Sequence, residues 1–411
     1  MTTDSKTLMK EVRQFYLKSG DFNGLPFRDD ESPERVDEAI ALVSAGLVQM
    51  VTEVDFPNPH IRPWPSRRSI EEQTQSFRTE HYACLYPTSA GMKGVRLPRR
   101  LSNRPYETEI ARGRGVLELA FFSMDVLEPY RNDHRYSFRH GDFDVNMAVS
   151  DDVYLDATEP DHDKVSLGDI GFAYDLRDFV RDDEESPIVR RATAFYGDLG
   201  RLSPEHQQRW KTYQIANDDL KPHPLWYGAQ MGNWNDGIGP FTRLFILIGE
   251  INELYDNIWD AKLFRVSEKP DEFGWVLRAG QRDWDEFVQE LDKILSDNLR
   301  DPALTKAKVV ERDGEQRLGT LQRLQRLMES NGVKEVHAKK VLGPLASIRA
   351  ARQDPAHKLR QNVEDSTLVH RQVNVLQDVL RSLRLIRYWL QEFPVNSGWQ
   401  PEFDDLKDYI M

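Results

Sequence analysis

The chain has 411 residues, 39% hydrophobic and 30% charged, with a formal net charge of −13. That length exceeds what one simple core fills, so two or three units are expected, and the balance excludes a disordered chain or one that coats nucleic acid over its whole surface. No apolar run approaches the roughly twenty residues that span a bilayer, no signal-like apolar stretch opens the chain, and the lone Cys84 excludes an intrachain disulfide or a cysteine zinc site, so a reducing, cytoplasmic setting is expected.

Leu8, Val12, Phe15 and Tyr16 give the stretch from Leu8 to Lys18 one apolar side, as an amphipathic helix requires. The turn residues around Phe22 to Pro26 break it. A second helix starts with Ser32 as cap and Pro33 at the first helical position, and runs to Ala45. Gly46 stops that helix, and Leu47 to Val54 alternates as a strand. Phe56 to Pro65 holds four prolines and reads as a stiff extended linker.

From about Tyr82 to Phe195 the pattern changes to short apolar runs between turn residues. Strands are predicted at Val116 to Phe122, Phe143 to Val149, Gly168 to Tyr174 and Arg191 to Tyr196, with a helical turn from Asp125 to Tyr130. Their order points to an antiparallel β-rich domain. His134, His140, Asp142, Asp144, Asp161, His162 and Asp163 crowd this region, but their spacing fits neither a zinc nor a calcium loop. Solvated loops are the expectation, with a metal-dependent nuclease as a distant alternative. Ser203 and Pro204 open a helix that carries His206, Trp210 and Tyr213 on one side. Trp226, Trp234 and Trp275 are expected to anchor packing rather than to stack on bases.

The last third is helical in pattern. Phe241 to Trp259 forms a strongly apolar segment, and Asp283 to Glu286 has the form of a capping box before Phe287, Val288, Leu291 and Leu295. Further stripes occupy Leu318 to Met328, Val333 to Ile348 and Val369 to Phe393, enough for a bundle. From Arg300 to Arg360 the chain carries fourteen Lys or Arg against seven Asp or Glu, a basic segment suited to a limited polyanion site or to a solvated helix surface.

Within this segment the helix before Gln353 must end, because Pro355 restricts Asp354 to extended geometry. Asp354 then caps a new helix whose first turn contains His357. The free N–H groups there disfavour a second positive charge, so a neutral imidazole is expected, able to take a proton from a hydroxyl while Arg352 steadies charge on a phosphoryl group. Arg352 to His357, Arg-Gln-Asp-Pro-Ala-His, followed by a long helix, resembles the R-x-x-x-x-H signature of HEPN-domain ribonucleases. The likeness covers roughly the last third of the chain, by helical pattern rather than by residue identity.

The resemblance implies a four- or five-helix bundle that dimerises and cuts single-stranded RNA or tRNA without metal or cofactor. Arg352 and His357 are then the catalytic pair, Gln353 or Asp354 the polar neighbour, and Arg349, Lys358 and Arg360 the RNA-binding cations. The N-terminal pattern from the first helix to Val48 resembles a winged helix. Its second helix carries Glu34, Asp37 and Glu38 against Arg35, which favours protein contact over DNA.

The sequence therefore predicts an α+β multidomain protein. It comprises a winged-helix-like module with linker over 1–65, a β-rich domain over 66–240 and a HEPN-like bundle over 241–411. The expected activity is that of a toxin- or phage-defence-like endoribonuclease, restrained by a neutralising or sensing partner. The alternatives are a non-enzymatic winged-helix regulator dimerised by an inactive bundle, and a ligand sensor. Walker, zincin, nucleophile-elbow and dinucleotide signatures are absent from the sequence.

Overall fold

The computed structural model describes residues 5–156, 158, 166–175, 189–216, 219–233, 237–353, 365, 367–401 and 407–408, and combines helices with antiparallel sheet. The N-terminal elements are α1 (Ser5–Lys18), β1 (Leu25–Arg28), α2 (Pro33–Ser44), β2 (Val48–Val51), α3 (Ile70–Glu80) and β3 (Tyr82–Pro87). Leu8, Val12 and Tyr16 are buried along one side of α1, the placement their spacing predicts. Ser32 accepts from the Arg35 N–H, and Pro33 follows it at the start of α2. The strands form an antiparallel sheet in the order β1-β3-β2, so the elements sharing this sheet run on to Pro87.

The segment expected to be an extended linker is packed down. Tyr86 Oη donates to the Pro59 carbonyl at 3.0 Å, and Val116 and Leu117 donate their N–H groups to Arg62 and Pro63. Proline-rich backbone lacks internal partners, which leaves its carbonyls open to neighbouring chain.

The middle of the chain gives α4 (Pro105–Ala111), β4 (Leu119–Phe122), α5 (Glu128–Arg131), β5 (Tyr136–His140), β6 (Asp144–Val149), α6 (Asp151–Leu155) and β7 (Ser166–Asp175). Then come β8 (Arg191–Phe195), α7 (Tyr196–Arg201), α8 (Pro204–Thr212), β9 (Gln214–Ile215), β10 (Leu220–Pro222), α9 (Pro224–Gln230) and β11 (Gly237–Ile238). Seven strands make one antiparallel sheet, ordered β5-β6-β7-β8-β4-β9, with β10 also on β7. Trp210 of α8 is fully buried and donates to Tyr130 Oη at 3.0 Å. Trp226 lies flat against Phe195, and Trp275 donates to the Asp142 carbonyl. Both are packing anchors; Trp234 lies outside the described residues.

The rest is mainly helical: α10 (Pro240–Trp259), α11 (Gln281–Leu295), α12 (Asp301–Lys306), the hairpin β12 (Arg312–Asp313) and β13 (Gln316–Arg317), α13 (Thr320–Ser330), α14 (Glu335–Gln353) and α15 (Leu368–Gln391). A short β14 (Lys407–Asp408) pairs in parallel with β11. Helix α10 buries Phe241, Leu244, Ile248 and Ile251 against the α15 stripe of Leu376, Leu380 and Leu383.

The capping box expected at Asp283 does not form. Helix α11 starts at Gln281 with Gly280 as cap, and Asp283 and Glu286 turn instead to Arg131 of α5, each at 3.1 Å. An arginine presented by another element can out-compete a backbone N–H, because its hydrogen bond is charge-assisted at both ends.

Candidate functional site

Arg352 sits in the last turn of α14, where the sequence places it. Its Nη1 donates to Asp292 Oδ2 at 2.7 Å and to Asp297 Oδ2 at 2.6 Å. Asp292 belongs to α11 and is fully buried, whereas Asp297 lies just beyond that helix and is 43% exposed. The Arg352 side chain remains 37% exposed. These hydrogen bonds, first to Asp292 and then to Asp297, hold its pKa above the usual arginine value. Gln353 is exposed beside it, and Arg349 is half-buried one turn back on the same helix. Asp354, His357, Lys358 and Arg360 lie outside the described residues.

Sequence reasoning missed Asp292 and Asp297. Both stand more than fifty positions before Arg352, and only the contact of α11 with α14 brings them to it.

Much of the basic segment is already paired. Arg323 is 2% exposed and bonds Asp301 at 2.8 Å, Arg326 pairs with Asp313 and Glu329, Lys306 with Asp260 and Lys339 with Glu335. Arg323 and Lys306 thereby join elements, Arg326 ties α13 to the hairpin and also pairs within α13, and Lys339 pairs within α14, which reduces the charge left to meet a polyanion.

The acidic and histidine cluster of the middle region departs from expectation. His140 is buried at the end of β5, whereas Asp142 just beyond it and Asp144 at the start of β6 are half-buried. Asp142 Oδ1 accepts from the Phe241 N–H at 2.8 Å, and its carboxylate also accepts from Thr242. It thereby caps α10 from another element. Gly239, the residue before that helix, has to be glycine: a Cβ there would lie 2.3 Å from the Asp142 side chain.

Lys269 Nζ donates to the His140 carbonyl, and the imidazole Nδ1 is buried without a hydrogen-bond partner among the described residues. Burial, assisted by Arg131, Lys269 and Arg190, pushes the His140 pKa down to about 3. Burial, with Asp169 and Asp142 nearby, pushes Asp144 up to about 6 against the opposing pull of Lys269. Among the described residues no group of three or more His, Cys, Asp or Glu stands ready to hold a metal. Asp161, His162 and Asp163 lie outside them, and His134 is exposed. The cluster is thus structural rather than a solvated loop, and its signal in the sequence is weak because an aspartate that caps a distant helix looks like any loop aspartate.

No described helix is long and apolar enough to cross a membrane. Comparison with family models, curated proteins and solved structures finds no match for this chain.

Proposed function

We propose that the chain is an endoribonuclease of HEPN type, toxin- or defence-like, that cuts single-stranded RNA or tRNA through its C-terminal helices. The observation that carries this reading is Arg352, partly exposed in the final turn of α14, clamped on one nitrogen and five residues before His357. In this chemistry His357 takes the proton of a ribose 2′-hydroxyl. The O2′ attacks the adjacent phosphorus and the bond to the 5′-oxygen breaks, leaving a 2′,3′-cyclic phosphate and a 5′-hydroxyl. Arg352 offsets the negative charge that develops on the phosphoryl oxygens, and the step calls for no metal or cofactor. Gln353 or Asp354 is the polar residue that follows the arginine, Arg349, Lys358 and Arg360 hold backbone phosphates, and a homodimer sets two motifs in one cleft.

The same contacts supply a restraint. Two carboxylates on one guanidinium leave a local negative surplus that repels phosphate, so RNA must displace Asp297, the more exposed of the two. That surplus also supports a second reading, a non-enzymatic regulator in which Arg352 only joins α14 to α11.

RNA incubated in excess EDTA with wild type, His357→Ala and Asp297→Asn separates the readings. The nuclease gives cyclic-phosphate ends with wild type and none with His357→Ala, and cleaves about tenfold faster as Asp297→Asn, since one competing charge pair is gone. Intact RNA with both wild type and Asp297→Asn sinks the enzymatic reading and leaves the regulator.

A further inference from the structure

A cleft of about 680 Å³ lies between the N-terminal elements and the α4 and α7 region. Its wall comes from the turn after α1, from the proline-rich segment around Arg62, and from α4 and α7. Four arginines line it, Arg62, Arg100, Arg104 and Arg201, against two carboxylates, Asp21 and Glu107. This is a positive wall on a protein whose net charge is −13.

Glu107 is already committed. It accepts from Arg100 and lies 3.5 Å from Arg104, which also donates to the Leu202 carbonyl. Arg201, 79% exposed on its side chain, has Asp198 at 3.6 Å as its ion-pair partner among the described residues. Arg62 is the telling residue. It is 4% exposed, lies over the rings of Tyr16 and Tyr86, and donates to the Pro87 carbonyl at 2.8 Å, to Tyr16 Oη at 3.0 Å and to the Arg114 carbonyl at 3.3 Å. Its hydrogen-bond partners among the described residues are all uncharged oxygens.

A buried guanidinium held by neutral acceptors keeps its full charge, and a low-dielectric wall concentrates the resulting field in the space it borders. Phe22, Ile61, Ile110 and Val116 add apolar surface to the lining, and Asn23 and Asn58 add amide groups. Arginine forks match phosphate oxygens, while a volume of this size with mixed lining suits a small organic ligand rather than a bare ion. We infer that this cleft binds a phosphate-bearing organic molecule of mononucleotide size, its phosphates toward Arg104 and Arg201 and its body against Phe22 and Ile110. This site is independent of RNA cleavage and is read without RNA.

Calorimetric titration of the full chain with ADP, adenosine and inorganic pyrophosphate tests it. The expected result is saturable one-site binding of ADP, with adenosine and pyrophosphate each at least about tenfold weaker, since each lacks one half of the recognition. Arg201→Glu and Arg104→Gln should each weaken ADP about tenfold or more, while Arg78→Glu, an exposed charge on α3, leaves it unchanged. Arg201→Glu is safe for the fold because its side chain is so exposed, and an unchanged melting temperature without ligand verifies that. Absence of saturable ADP binding overturns the inference. So does binding that survives both arginine changes, or adenosine or pyrophosphate binding as tightly as ADP.

Discussion

His140 stays neutral and Asp144 resists ionising for one main reason: burial, full at the imidazole and partial at the carboxyl, weakens the solvation of a charge. Their effects on stability oppose each other. The unfolded chain protonates a histidine near its ordinary 6.5, but the folded chain does so only near 3, so His140 removes stability as pH falls through that interval. The folded chain protonates Asp144 near 6, the unfolded chain only near 3.8, so Asp144 restores stability as pH falls from about 6. Arg131, Lys269 and Arg190 face the imidazole, and Asp142, Asp169 and Lys269 face the carboxyl. Wild type should thus show shallow pH dependence between about pH 4 and 6. In urea unfolding across that range, His140→Gln should gain stability as pH falls and Asp144→Asn should lose it more steeply than wild type. Parallel profiles for all three proteins would refute the paired assignment.

Between elements, the pairing of α10 with α15 carries the most consequential buried charges. Arg387 Nη1 donates to Glu250 Oε2 at 2.9 Å, with side chains 1% and 8% exposed. Removing one partner takes the counter-charge from a buried ion, whereas removing both substitutes packing for desolvation. Arg387→Met should therefore destabilise by about 3–5 kcal/mol. Arg387→Met with Glu250→Leu should recover most of that loss in urea unfolding, and a purely additive double variant would contradict the coupling.

The elements also show where sequence pattern is strong. Helices α2 and α8 begin at Pro33 and Pro204 with Ser32 and Ser203 as caps, as the Ser-Pro steps specify, because capping is settled within three residues. Strand β5 escaped detection: Phe138 and His140 point inward on alternate positions, yet a histidine counted as polar conceals the alternation.

Across the whole molecule one connected core joins Tyr16 and Phe22 at the N-terminal end, Phe122 and Phe172 of the large sheet, and Leu390 of the last helix. A smaller core, including Leu8, Leu42 and Phe77, lies within the N-terminal elements. Arg62 ties the two regions together through Tyr16, Pro87 and Arg114. Arg62→Ala should destabilise by at least about 2 kcal/mol, since several acceptors lose charge-assisted bonds. The N-terminal elements should also become the first to be cleaved in limited proteolysis. Cleavage beginning equally early in wild type would remove Arg62 from this role.

The sequence alone determined the mixed α+β class, the antiparallel character of the middle strands, the helical last third and the Ser-Pro starts of α2 and α8. Each follows from backbone sterics, capping and apolar periodicity, which act over a few residues. Tertiary structure alone decided that Asp142 caps α10, that Asp292 and Asp297 hold Arg352, and that Arg62 reaches a cleft with Arg104 and Arg201. Those partners stand tens to more than a hundred positions apart, and a charge takes as its partner whatever the packing of the chain sets beside it.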